Sequence, residues 1–280
     1  MKKVIHLFNW VFLLGSTLIV CLLLGIILFD IGSKGISSLS WHFISRFPTH
    51  GMSEGGILPA IIGTLLLTFV TMLFAVPFGI SCAIYLNEYA RPSTLTNIIR
   101  ASIRNLAGIP SIIYGLFGLA LFVQALKLGT SVLSAGLTLG LLSLPYIITT
   151  TEEALKRIPN SLREATLALG ATQYETIRDV VMPQALSGIL TGVILSVSRA
   201  AGETAPILFT GVAFYINEVT FSFNKEFMAL PYHLYMLSTQ HQSIELVRPL
   251  AYGTALVLIV LVFLLNTIAF YIRYKSTKQT

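Results

Sequence analysis

Apolar residues in this chain run in long unbroken blocks, without the short stripes of a water-soluble core. Residues 10–29, 105–126, 128–151 and 249–272 contain no Asp, Glu, Lys or Arg, and residues 55–87 are also free of charge. A further block at about 185–212 is apolar except for Arg199 and Glu203. A helix needs about 20 apolar residues to cross the roughly 30 Å hydrocarbon layer. Backbone polar groups in lipid must be satisfied within the segment, which selects helices, and the blocks are too long and too little alternating for barrel strands. The pattern predicts an all-α polytopic membrane protein, one domain over residues 1–280. Its six transmembrane helices fall at about 10–29, 60–86, 105–126, 128–151, 185–212 and 249–272.

The interruptions are as informative as the blocks. Spans 3 and 4 are joined by a tight turn at Lys127-Leu128-Gly129-Thr130. Two longer outer segments, about 30–58 and 213–248, carry aromatic residues suited to a membrane interface, among them Trp41, Phe43, Tyr215, Phe221 and Tyr232. A basic loop spans about 88–104, and the largest polar segment is about 152–184. Within it, Ser161-Leu-Arg-Glu164 and Thr172-Gln-Tyr-Glu175 have the form of capping boxes. Gly170 is placed to end the first short helix and Pro183 to stop the second. Leu162, Thr166 and Leu169 share one stripe of the first helix; Tyr174, Ile177 and Val181 share one of the second. Two uses fit these features: a connector folded back on its own helix ends, or a docking element for a partner.

Composition agrees with the pattern: 55% hydrophobic and 11% charged, against about 25% charged in soluble domains. The net charge of +6 reflects topology and gives no sign of nucleic-acid binding. Lys2, Lys3, Arg91, Arg100, Arg104, Lys156, Arg157, Arg163, Arg178, Arg273, Lys275 and Lys278 fall on one side of the spans. Lys34, Arg46, Lys127, Lys225 and Arg248 fall on the other. The positive-inside rule then puts both termini in the cytoplasm, with Arg91, Arg100 and Arg104 near lipid headgroups. The first span reads as an uncleaved helix: its apolar part is roughly twice a signal-peptide core, with no Ala-x-Ala site after it. Cys21 and Cys82 read as inert, buried thiols inside spans 1 and 2. The histidines, His6, His42, His50, His233 and His241, lie near water without ligand spacing, so no metal site is expected.

The chemistry concentrates in span 5. An arginine at mid-membrane costs about 2.5–3.5 kcal/mol on the insertion scale, so it faces protein or water. Glu203 follows Arg199 by four residues, within ion-pairing reach on a helix. Gly188-Ile-Leu-Thr-Gly192 lets another helix approach closely, and Pro206 is expected to bend the helix beyond the pair. Two readings stand. Arg199 and Glu203 neutralise each other against a neighbouring helix, or Arg199 offers paired N–H groups to an oxyanion in transit while Glu203 holds it. Ser198 and Thr204 could add hydroxyls to such a site or satisfy their own helix. Thr64, Thr68 and Thr71 share a face of span 2 that packing explains. No catalytic constellation occurs, and no Gly-x-x-x-x-Gly-Lys-[Ser/Thr] loop is present to cradle ATP.

The stretch "EATLALGATQYETIRDVVMP" resembles the EAA loop of ABC-importer permeases, matching at Glu164, Ala165, Thr166, Gly170, Val180, Met182 and Pro183. Thr166, Val180 and Met182 depart from that pattern by substitutions of similar size. "GGILPAIIGTLLLT", "PFGISCAIYLNEYA", "NLAGIPSIIYGLFGLALF", "SRAAGETAPILFTG" and "MALPYHLYMLSTQ" are similar to phosphate-specific importers, and to the PstA type over its PstC-type partner. The resemblance implies a type I importer permease in a bacterial or archaeal inner membrane. It implies a complex with a PstC-type permease, two copies of a PstB-type ATPase that binds ATP and Mg, and an extracytoplasmic PstS-type phosphate-binding protein. Glu164, Ala165, Thr166, Gly170 and Pro183 would then couple to the ATPase, and Arg199, Glu203, Ser198 and Thr204 would line the pathway. The rivals are an ABC permease for another substrate, such as molybdate or an amino acid, and a stand-alone anion channel or carrier.

Overall fold

The computed structural model describes residues 2–216 and 222–277; Phe221 and Lys278 lie outside them. The chain opens with a long helix, α1 (Lys2–Ile36), and a short one, α2 (Trp41–Ser45). A two-stranded hairpin follows, β1 (Pro48–Thr49) with β2 (Glu54–Gly55). Helix α3 (Leu58–Ile84) continues into a π-helical turn at Tyr85–Tyr89. Next come α4 (Thr94–Leu106) and α5 (Ser111–Gly118), the latter prolonged by π-helical Leu119–Ala125. Helix α6 (Val132–Lys156) leads to α7 (Asn160–Ala168) and α8 (Gln173–Glu175). A π-helical turn, Thr176–Val181, joins α8 to α9 (Met182–Gly202), and α10 (Leu230–Thr239) and α11 (Ile244–Thr277) complete the fold.

Among the described residues, five helices are long and apolar enough to cross a membrane, six if the bent pair α4–α5 is one span. That pair corrects the straight third span expected at 105–126. The chain bends by 104° between Leu106 and Ser111, because the Gly108-Ile109-Pro110 stretch cannot continue a helix: Pro110 lacks the N–H and disfavours α geometry before it. The fifth span is shifted from the expected 185–212, running over Gln173–Gly202. Its helix ends at Gly202 and Glu203 is already extended (φ −75°, ψ 136°), so Pro206 lies in the irregular stretch beyond the helix. Gly just inside the end and Pro shortly after make a common stop signal.

The bundle is closed by notches. On α6, Gly136 receives the Val70 side chain and Gly140 that of Phe74, while Gly79 of α3 faces Ile147. On α9, a Cβ at Gly188 would stand 2.6 Å from the Ala154 Cβ, and one at Gly192 would overlap the Thr150 hydroxyl. Helices in lipid gain no hydrophobic drive from one another, so close backbone approach does the associating. Thr64, Thr68 and Thr71 are buried and donate to the carbonyls of Ala60, Thr64 and Leu67, and Thr64 Oγ1 also accepts from the Leu230 N–H at 2.9 Å. They serve packing, as expected.

Two side chains sit differently from expectation. Cys21 is exposed on the outer face of α1, which meets the bundle mainly at its far end, through Gly35 against Tyr252 and Leu256. His233 is 3% exposed, because α10 packs against α11 and α3 with Leu230 and Leu237 among the buried apolar residues of that end. Burial pushes its imidazole down to about 4 from the usual 6.5, which keeps it neutral.

The α6–α9 notch gives a direct test. Gly192→Leu should lower the unfolding midpoint of the detergent-purified chain by the equivalent of about 1–3 kcal/mol, an ordinary cost of overpacking. Gly25→Leu, on α1 with nothing within 4 Å, should leave it unchanged.

Candidate functional site

Arg199 lies in the last turn of α9, where a cation complements the helix dipole. Its Nε donates to Glu203 Oε1 at 3.1 Å. The pair forms although Glu203 has left the helix. A second partner comes from α6: Nη1 donates to the Tyr146 hydroxyl at 2.5 Å, and the guanidinium carbon stands 4.5 Å from the Tyr146 ring centroid. The Nη2 amine and the second Nη1–H have no partner among the described residues. Arg199 is 38% exposed and Glu203 17%. An anchored guanidinium with an open edge of N–H groups is a competent receptor for an oxyanion.

Tyr146 is the residue that sequence reasoning missed. Its hydroxyl donates onward to the Ala107 carbonyl at 3.1 Å, and Tyr114 donates to the Leu106 carbonyl at 2.9 Å. Both carbonyls lie at the end of α4, where the chain bends by 104°; that of Leu106 also accepts from the Ile109 N–H at 3.1 Å. The arginine is thus tied, through one phenol, to the break in the third span. A tyrosine within the charge-free run 128–151 was the available signal. Its partner could not be named without knowing that Gly188 and Gly192 face α6.

The remaining pathway candidates do not all gather here. The Ser198 hydroxyl lies 2.9 Å from the Ile194 carbonyl oxygen and 2.5 Å from Asn266 Oδ1 of α11, its one proton shared between them, so it joins α9 to α11. Thr204 is half-buried one residue beyond Glu203 in the irregular stretch.

At the basic end of the bundle, the segment 152–184 forms a ledge. Helix α7 has no buried residue, with Glu164 and Ala165 exposed and Thr166 half-buried. Ser161 does not cap it. The helix begins one residue earlier, at Asn160, with Pro159 in the capping position and no side-chain cap; Pro159's fixed φ already sets the entry. Gly170 is left-handed at φ +91°, as its position demanded. Thr172 and Glu175 form a complete capping box: the Glu175 N–H donates to Thr172 Oγ1 and the Thr172 N–H to Glu175 Oε2. Pro183 does not stop this helix; α8, the π-helical turn and α9 run on as one rod from Gln173 to Gly202. The wide π turn just before the proline accommodates its ring and its missing donor. Ile177 and Val181 are buried, whereas Leu169 and Tyr174 stand out from the ledge.

A multi-pass helical bundle with one broken span, an anchored arginine inside it and a helical ledge at one end defines a membrane transport permease. Residues 75–277 match the binding-protein-dependent transport system inner membrane component family, and the chain belongs to that family. It is 37% identical over 245 residues to the phosphate transport system permease protein PstA of Pasteurella multocida, covering 87% of this chain and 85% of that one. It is 35% identical over 197 residues to a probable ABC transporter permease, YqgI, of Bacillus subtilis, covering 70% and 67%. Its fold is similar to that in a crystal structure of a bacterial alginate ABC transporter in complex with alginate pentasaccharide-bound periplasmic protein, with TM-score 0.65, 14% identity and 93% of each chain covered.

The ledge depends on its left-handed corner. Nothing lies within 4 Å of a Cβ at Gly170, so Gly170→Ala adds backbone strain alone, about 1–2 kcal/mol. Amide hydrogen exchange across residues 160–175 should speed up in this variant while the α6 and α9 amides keep wild-type protection.

Proposed function

We propose that this chain is the PstA-type transmembrane subunit of an ATP-driven importer of inorganic phosphate. It works with a PstC-type permease, two copies of a PstB-type ATPase that binds ATP and Mg, and an extracytoplasmic PstS-type phosphate-binding protein. Both termini and residues 152–184 face the cytoplasm, as the distribution of Lys and Arg supports. The observation that carries the proposal is the guanidinium of Arg199, anchored on two sides and open on the third, in a chain 37% identical to a phosphate permease.

Phosphate released from the binding protein enters between the two permeases and exchanges part of its hydration for the open N–H edge of Arg199. Glu203 fixes the guanidinium and offsets its charge, so the anion is held weakly enough to leave. Tyr146 supplies the second anchor. ATP-driven closure of the ATPase moves the ledge through Glu164, Ala165, Thr166, Gly170 and Pro183, and rocks the helices from outward-open to inward-open. The similarity to phosphate permeases, together with the ledge, favours this reading over a permease for molybdate or an amino acid and over a stand-alone channel.

In proteoliposomes holding the assembled complex, Arg199→Ala should lower phosphate import at limiting substrate by about 100-fold, the loss of one to two charge-assisted hydrogen bonds. Arg199→Lys should keep a small fraction, and Glu203→Gln should raise the apparent KM. Full import by both arginine variants, or competition by molybdate stronger than by unlabelled phosphate, contradicts the proposal.

A further inference from the structure

No residue of α7 is fully buried, and its Leu162 and Leu167 remain 37% and 47% exposed, so apolar packing contributes little to holding it. A polar clasp holds it to the bundle. At the end of α3 the π-helical turn Tyr85–Tyr89 inserts an extra residue and directs Glu88 inward, leaving its side chain 6% exposed. Arg163 of α7 grips it with a fork: Nε donates to Oε2 at 3.1 Å and Nη2 to Oε1 at 2.8 Å. The rest of the guanidinium is engaged at the end of α6, with Nη2 donating to the Leu155 carbonyl at 3.0 Å and Nη1 to the Ile158 carbonyl at 2.7 Å. From the other side of Gly170, Gln173 Nε2 donates to the Glu88 carbonyl oxygen at 2.6 Å.

The arrangement is unlike a surface ion pair such as Arg178–Asp179, which is exposed and 3.6 Å apart and of a kind worth little in water. The Glu88–Arg163 pair is shielded, bidentate and fully hydrogen-bonded, the condition under which a buried pair is both strong and geometrically strict. Both halves of the ledge converge on this one residue of α3. Helices α3 and α6 are themselves interlocked by the Val70–Gly136, Phe74–Gly140 and Ile147–Gly79 notches. Displacement of α7 therefore loads Glu88 and the end of α6 first, and α6 carries Tyr146, the anchor of Arg199.

We infer that Glu88 is the joint through which movement of the ledge reaches the α3–α6 pair, with Arg163 as its grip. Glu88 is a positioning residue for transport that acts through Arg163 and Gln173. It has this role only if α7 docks on the ATPase as proposed above.

The test compares Glu88→Gln, Arg163→Lys, Gln173→Ala and the exchange Glu88→Arg with Arg163→Glu in the complete complex, reconstituted with its binding protein. The readout is phosphate imported per ATP hydrolysed, normalised to assembled complex. Glu88→Gln should keep ATP hydrolysis while import per ATP falls at least tenfold; Gln173→Ala, which strands no charge, should fall about threefold. The exchange should recover part of the ratio lost in Glu88→Gln. An unchanged ratio in Glu88→Gln and Gln173→Ala overturns the inference, as does a loss of assembled complex with the ratio preserved. If Glu88→Gln fails to assemble, an unchanged ratio in Gln173→Ala overturns it alone. Failure of the wild-type complex to import phosphate would instead refute the proposed substrate.

Discussion

The close seating of α9 on α6 is the contact from which the site follows. Gly188 and Gly192 leave no room for a Cβ between the helices, and this brings Arg199, two turns along the same face from Gly192, against the Tyr146 hydroxyl. In a lipid solvent such a contact rests on packing and on hydrogen bonds that would otherwise go unmade. A guanidinium in the last turn of α9 is accommodated because Glu203 and Tyr146 share its charge and its donors. Separating the helices would remove one anchor and leave the arginine held from a single side.

The bend between α4 and α5 gives that seat a second consequence. At the 104° break two phenols donate to carbonyls at the end of α4, Tyr114 to Leu106, which also accepts from the Ile109 N–H, and Tyr146 to Ala107. Tyr146 serves the bend and the arginine with one oxygen. Any shift of α6 relative to the bend must therefore stretch one of these two bonds, which makes the Arg199 environment sensitive to the bundle's arrangement. At the other end, the Glu88–Arg163 clasp joins the ledge to the same helix pair. The ledge and the arginine are connected through interlocked helices, with no flexible loop between them.

Much of this was legible in the sequence for plain physical reasons. Charge-free runs longer than a bilayer is thick admit few alternatives, and Gly170, Thr172 and Glu175 declare a left-handed corner and a capped start through backbone chemistry alone. Arg199 and Glu203 were visible because charge in an apolar run is expensive. What stayed hidden depended on tertiary context. Pro183 reads as a terminator, yet a preceding π turn absorbs it. Ser161 reads as a cap, yet the helix is entered earlier, with Pro159 in the capping position. His233 looks like a surface residue until α10 is tucked inward. Tyr146 and the Glu88–Arg163 fork pair residues 53 and 75 positions apart, a distance that no local pattern spans.

The central claim is that Tyr146 matters to transport by holding Arg199. A double-mutant cycle on phosphate import by the assembled complex tests it most directly, since coupled residues are non-additive. Tyr146→Phe should reduce import about tenfold when Arg199 is present and have no further effect in the Arg199→Lys background. Equal losses in both backgrounds would contradict the account, because the phenol would then be acting on something other than the arginine.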